Sequence, residues 1–177
     1  MSSKEEIARN RKEQVLNAAA ELFAEKGYYK TTTADVARLV GVTQPYVFHF
    51  FKTKEELYLA VLQRANEKVM HAFSSVDAPS DQLEDKMGKA FTELLTDSRN
   101  EILLVMMAFT IPETAIREYV KAEFDSVFER VKDRFADAGL DDPETKASGF
   151  IGTGLLISMA EVLDMPKLIP WDDDAEK

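Results

Sequence analysis

Apolar positions along residues 4–26 recur at helical spacing, through Ile7, Val15, Ala18, Ala19, Leu22 and Phe23. Lys26-Gly27 is a helix stop signal, and Tyr28–Lys30 reads as a short connection. The period then shortens. Thr31–Lys54 reads as two small helices around a tight turn. Thr32 or Thr33 caps the first, and Asp35 falls in its first turn, where a carboxylate suits the helix dipole. Val36, Ala37 and Val40 form its apolar face, and Gly41 ends it. Thr43 is the next N-cap position, Pro45 is tolerated in the first turn, and Val47 and Phe51 are the inner residues. Pro45, Tyr46 and His49 lie roughly opposite that seam.

Thr53-Lys54-Glu55-Glu56 is a capping box. It opens a helix from Lys54 to about Ser74, with Leu57, Val61, Leu62, Ala65 and Val69 inward. A loop with Pro79 follows. Residues 81–96 suit an amphipathic helix that buries Leu83, Met87, Ala90, Phe91 and Leu94. Asn100–Thr110 is apolar nearly all round, as a buried helix is. Pro112 is expected to start a helix reaching Ala138, with the stripe Val120, Phe124, Val127, Val131 and Phe135. Pro143 starts a last helix to about Met165, and the acidic tail WDDDAEK is expected to fray. The reading is all-α, about nine helices, with no internal repeat.

Two short helices around a glycine turn are what a helix-turn-helix needs, and such a motif lays its second helix in the major groove. The net charge of −10 argues against a nucleic-acid partner until its distribution is seen. Residues 1–54 carry nine Lys/Arg against six Asp/Glu, whereas residues 55–177 carry 13 against 26. Within 26–54, Lys26, Lys30, Arg38, Lys52 and Lys54 face Asp35 alone. That split fits a small DNA-facing module on an acidic body. Arg9, Arg11 and Lys12 add a basic start to the first helix, with a solvated face preferred for Lys12.

Other chemistry is sparse. With no cysteine in 177 residues there is no disulfide and no thiolate. The two histidines, His49 and His71, are far apart, and no metal-ligand spacing appears, so neither a metal nor a cofactor is expected. No catalytic constellation is present, and an enzyme is not expected. The polar start MSSKEEIARNRK is no signal peptide, and the run Ile102–Phe109 is too short to span a bilayer. A cytoplasmic protein is expected.

Three segments carry a family resemblance in order: AAELFAEKGY (19–28), TTTADVA (31–37) and GVTQPYVFHFFKTKEEL (41–57). Residues 11–58 resemble the N-terminal DNA-binding domain of the tetracycline-repressor (TetR) family of bacterial transcriptional regulators. The resemblance implies a three-helix DNA-binding domain over 1–53 and a helical effector-binding and dimerisation domain over 54–177. It places Thr32 and Thr33 where family hydroxyls contact phosphate. It places Gln44, Pro45, Tyr46 and His49 where the recognition helix meets bases and sugars, and Lys54 where a lysine grips phosphate. Phe48 stands where the family usually has a phosphate-binding tyrosine. That contact is lost, and Phe48 is expected to pack inward. Phe50 is also less polar than usual there.

The body has to be read from its own residues. Gly149, Gly152 and Gly154 in one helix each cost about 1 kcal/mol against alanine, which close helix–helix approach would justify. A phosphate loop is rejected, since no strand precedes these glycines and no lysine follows. The expected dimer interface is a four-helix contact of the last two helices through Val127, Val131, Phe135, Gly149, Gly152 and Ser158. The alternative is packing of the small residues within one subunit. Met70, Phe73, Met87, Phe91, Met106, Met107, Phe109 and Phe128 are the candidates for an apolar effector pocket, against ordinary core. Arg99, Arg117 and Arg130 are the cations that a charged effector could use.

The expectation is therefore a homodimeric repressor that binds a palindromic DNA operator through Thr43–His49 and is released by a small lipophilic effector. The rivals are an effector-less or activating regulator and a helical protein-interaction module.

Overall fold

A computed structural model describes residues 3–169. The frayed tail expected at 171–177 lies outside that range. The described residues form eight α-helices and two 3-10 turns, without a strand. The first helix, α1, runs over Ser3–Lys30, with a break at Gly27, whose φ of 77° is left-handed. The expected stop is thus a kink. Tyr28–Lys30 regains one helical turn, because the Thr31 hydroxyl donates to the carbonyls of Leu22 and Gly27, each at 2.9 Å.

α2 spans Thr33–Val40 and α3 spans Gln44–Phe50. Between them Gly41 takes φ 73°, and Val42 N–H closes back on Ala37 at 2.9 Å. α4, Lys54–Ser74, begins on the Thr53 hydroxyl, which accepts from Glu56 N–H at 2.9 Å. The expected reciprocal half of that box moves by one residue: the Glu56 carboxylate accepts from Lys52 N–H at 2.7 Å.

α5 covers Ser80–Asp97 and α6 Arg99–Met107. The last turn of α6 tightens into a 3-10 turn at Ala108–Thr110, shortening the helix expected to reach Thr110. α7, Thr114–Asp137, starts two residues after Pro112 rather than on it. α8 is Pro143–Leu163, followed by a 3-10 turn at Pro166–Leu168.

One hydrophobic core runs through all of these helices. α1 packs not only on α2 but also on α4 and α6. At that joint Arg64 of α4 donates to Glu13 (3.0 Å) and Asn17 (2.8 Å) of α1, while its other terminal nitrogen lies 2.5 Å from Glu101 of α6. Lys68 adds a second bond to Glu101 at 2.8 Å, and Glu101 is only 8% exposed. Tyr58 is buried in the same seam, edge-on to Phe23 (4.9 Å) and Tyr28 (5.0 Å).

Candidate DNA interface and effector cavity

The helix-turn-helix is fixed by polar contacts at its ends. Thr32 accepts from Asp35 N–H at 3.1 Å and donates its own hydroxyl to the Asp35 carboxylate at 2.6 Å. Asp35 also accepts from Thr32 N–H, so its carboxyl sits below the usual range, first through the Thr32 hydroxyl bond and next through that backbone bond. Thr43 occupies the N-cap of α3 but makes no capping bond. Instead Gln44 donates to the Thr33 hydroxyl at 2.8 Å, tying α3 to α2.

These contacts sort the sequence-derived residues. Gln44, Pro45, Tyr46 and His49 lie exposed on one face of α3 with Thr43 at its start, while Val47 is fully buried. Phe50 is half-buried and meets Tyr46 and His49 edge-on at 5.4 and 5.3 Å, which braces that face. Thr32 stays exposed at the N-terminus of α2. Thr33 does not: it is buried and its hydroxyl serves Gln44, so the expected phosphate contact through that hydroxyl is corrected.

Phe48 also departs from expectation. It is exposed rather than packed inward, because Val47 and Phe51 already fill the seam. Lys54 Nζ is engaged, donating to the Tyr28 carbonyl at 2.9 Å and lying 4.3 Å from the centre of the Tyr28 ring. An ammonium has three donors, so it keeps hydrogens for a further acceptor. Lys12 lies over the Phe51 ring at 5.5 Å rather than on a purely solvated face.

Between α4, α5, α6, α7 and α8 lies a cavity of about 1120 Å³. Of the candidates for an effector pocket, Phe73, Phe91 and Met106 line it. The other pocket candidates do not. Met70 and Met87 line a separate cavity of about 290 Å³. Phe128 is half-buried and lines neither. Met107 and Phe109 are exposed, Phe109 at 61%, because the 3-10 turn rotates that end of α6 away from the interior.

Arg99, a cation named from the sequence, lines the larger cavity, but two further polar handles there, Asn66 and Tyr119, were not among the candidates. Asn66, 6% exposed, donates to the Tyr119 hydroxyl at 3.3 Å. Burial raises the Tyr119 hydroxyl above its ordinary pKa, so it stays protonated and able to donate. The signal was available: Asn66 is a polar residue inside the apolar stripe Leu62, Ala65 and Val69. The open side of the cavity is acidic, with six carboxylates against Lys89 and Arg99. Arg99 is itself paired to Glu161 at 2.6 Å.

The expected dimer residues divide as well. Val131, Phe135 and Ser158 are buried within the subunit. Phe135 packs edge-on against Phe150 at 5.8 Å, and the Ser158 hydroxyl bonds Gly154 O on its own helix. Val127 lines the larger cavity. Only Gly149 and Gly152 face outward, with nothing within 4 Å of an added Cβ. Gly154 faces inward, 3.7 Å from Phe91. α8 nonetheless presents Met159, Val162 and Leu163 to solvent.

Residues 15–61 match the family model described as bacterial regulatory proteins, tetR family. A probable HTH-type transcriptional regulator of Pseudomonas putida, ArpR, is 34% identical over 64% of this chain and 58% of its own. The HTH-type transcriptional activator FasR of Mycolicibacterium smegmatis is 30% identical over 82% of this chain and 67% of its own. This chain belongs to the TetR family. The match thus spans 58% of ArpR's length. Among solved structures, a TetR/AcrR-type transcriptional regulator from Aquifex aeolicus VF5 superposes with a TM-score of 0.73 at 20% identity, covering 89% of this chain and 92% of that one. AibR, solved with isovaleryl coenzyme A and operator DNA, gives 0.68 at 20%, covering 84% and 86%. At 20% identity these two likenesses show the fold alone. The family-model match ends at residue 61, and the cavity and the exposed face of α8 lie beyond it.

Proposed function

We propose that this protein is a dimeric, cytoplasmic transcriptional repressor that binds a palindromic operator and leaves it when a lipophilic molecule fills the larger cavity. In this reading residues 1–53 form the DNA-binding head and 54–177 the effector and dimer body. The observation that carries it is the exposed face of α3, Gln44, Pro45, Tyr46 and His49, on a segment, 26–54, that carries five Lys/Arg against Asp35 alone. His49 and Gln44 would read base edges. Tyr46 and the exposed ring of Phe48 would favour thymine methyl groups over polar edges. Lys54 and the N-terminus of α2 would meet phosphates, one fewer per half-site than where a tyrosine replaces Phe48.

Two half-sites need two heads, and the outward face of α8, with Gly149, Gly152, Met159 and Val162, would supply the contact with a second copy. The acidic opening of the larger cavity favours a neutral or cationic lipophile over a phosphate-bearing ligand. An effector that prefers the DNA-incompetent arrangement would act along α4, which joins cavity to head.

The decisive test is a mobility-shift assay against DNA flanking the protein's own gene, at fixed salt. Binding to one duplex should exceed nonspecific binding by ~10³ or more. His49→Ala should cost about 1–3 kcal/mol and relax one base position. Equal binding to all duplexes sinks the reading. An activating role is the second reading, favoured by FasR, a relative described as an activator. Reporter output that falls on deleting the gene would select it.

A further inference from the structure

The smaller cavity, about 290 Å³ between α4, α5 and α7, has a chemistry opposite to that of the larger one. Its floor is apolar: Met87 and Val131 are fully buried, and Phe73 separates it from the larger cavity, lining both. Its mouth is cationic. Arg130, Arg134 and His71 line it together with Ser74, whose hydroxyl donates to the His71 carbonyl at 3.1 Å. This occurs in a chain of net charge −10, where a carboxylate partner for each arginine would be easy to supply.

None is supplied. Among the described residues Arg130 makes no ion pair and no hydrogen bond. Arg134 donates one terminal nitrogen to the Val76 carbonyl just beyond the end of α4, and its Nε is buried without any acceptor. Complementing the C-terminal dipole of α4 accounts for the first of those contacts. It does not account for a buried, unmet guanidinium N–H, which costs free energy until an acceptor arrives. His71 is tied on one side only, to Ser75 at 3.3 Å.

We infer that this cavity is a second ligand site, for a small amphipathic carboxylate whose head bridges Arg130 and Arg134 and whose tail lies on Met70, Met87 and Val131. A carboxylate offers two oxygens to two guanidinium groups, the arrangement in which charge-assisted bonds are strongest. The volume sits at the low end of small-ligand cavities, on the order of 300–1,000 Å³, which suits a tail of medium length. The flexible methionines let that length vary. The site is separate from the effector reading and is tested without DNA.

The experiment is calorimetric titration of the full chain with sodium octanoate, octan-1-ol, octylamine and inorganic phosphate at constant ionic strength. Octanoate should bind once per chain, at least about tenfold more tightly than each of the others. R130Q should weaken octanoate about tenfold or more, and R130K by less. Arg130 lines the smaller cavity and not the larger, so this loss also locates the ligand. Four results overturn the inference: no octanoate binding, octan-1-ol binding as well as octanoate, phosphate binding as well as octanoate, or R130Q binding like the parent.

Discussion

The head and the body of this molecule hold their helices in different ways. In the head, polar side chains pin the helix ends: Thr31 on Leu22 and Gly27, Thr32 with Asp35, Gln44 on Thr33, and Thr53 with Glu56 where α4 departs. In the body, α5, α6, α7 and α8 all begin without a side-chain capping bond. They are held by apolar packing around a cavity of about 1120 Å³. Short helices cannot bury enough surface to fix their own register, so directional hydrogen bonds must do it. Long helices packed around a void can slide with little loss of contact. A DNA reader needs a fixed face and an effector domain needs one that moves, so the difference in bonding matches the two proposed tasks.

The largest test of this contrast is at the seam. Tyr58→Ala removes a fully buried ring that touches Phe23 and Tyr28, and should cost about 3–5 kcal/mol. Because α1 packs on α4 and α6, urea unfolding should remain one transition at a lower midpoint. Two separated transitions would mean that head and body are independent, and that the contrast is merely one between two domains.

Next comes the polar joint. Glu101→Ala strips Arg64 and Lys68 of a shared, nearly buried carboxylate. Removing one partner of a buried pair costs about 3–5 kcal/mol, and Arg64 keeps Glu13 and Asn17, so about 3 kcal/mol is expected. If Glu101→Ala alters stability by less than about 1 kcal/mol, the joint is held by packing rather than by its ion pairs.

The same contrast explains what the sequence could disclose. The head was legible because its signals are local: Thr32, Asp35, Gly41 and Pro45 each act within a few residues of where they stand. Burial in the body was legible too, since Val131 and Phe135 recur at helical spacing. What buries them was not. Periodicity marks a side chain as inward but does not say whether a partner copy or Phe150 of the same chain covers it. Phe109 went astray because a single 3-10 turn at Ala108 changes the rotation per residue, and no residue announces it. Gln44 on Thr33 was missed because it joins residues from different helices, and the smaller cavity because residues of α4 and α5 close it against Arg130 and Arg134 of α7.

A smaller effect separates the two regions by their caps. Thr32→Ala should cost about 1 kcal/mol. Hydrogen exchange should show the loss in α2 and leave α5 and α7 unchanged. Faster exchange in those body helices would show that the cap stabilises the fold as a whole, and the division into a pinned head and a packed body would fall.

The smallest effect carries a pH signature at the cap of α2. Asp35 is held below its ordinary pKa of 3.8, first by the Thr32 hydroxyl and next by Thr32 N–H, with Lys26 and Arg38 adding to it. The folded state therefore binds this proton less readily than the unfolded chain does. The ionised carboxylate contributes stability that is fully present above the ordinary value and is lost as pH falls through the depressed one. Asp35→Asn cannot ionise, so it should sit below the parent by a constant gap from neutral pH down to about 5, and the gap should close below about 4. Urea midpoints across that range would measure it. A gap that persists at low pH would mean that Asp35 acts as a neutral acceptor rather than as an ion. The Thr32–Asp35 box would then hold α2 by geometry alone, and the dipole would have no part in fixing the face that α3 presents.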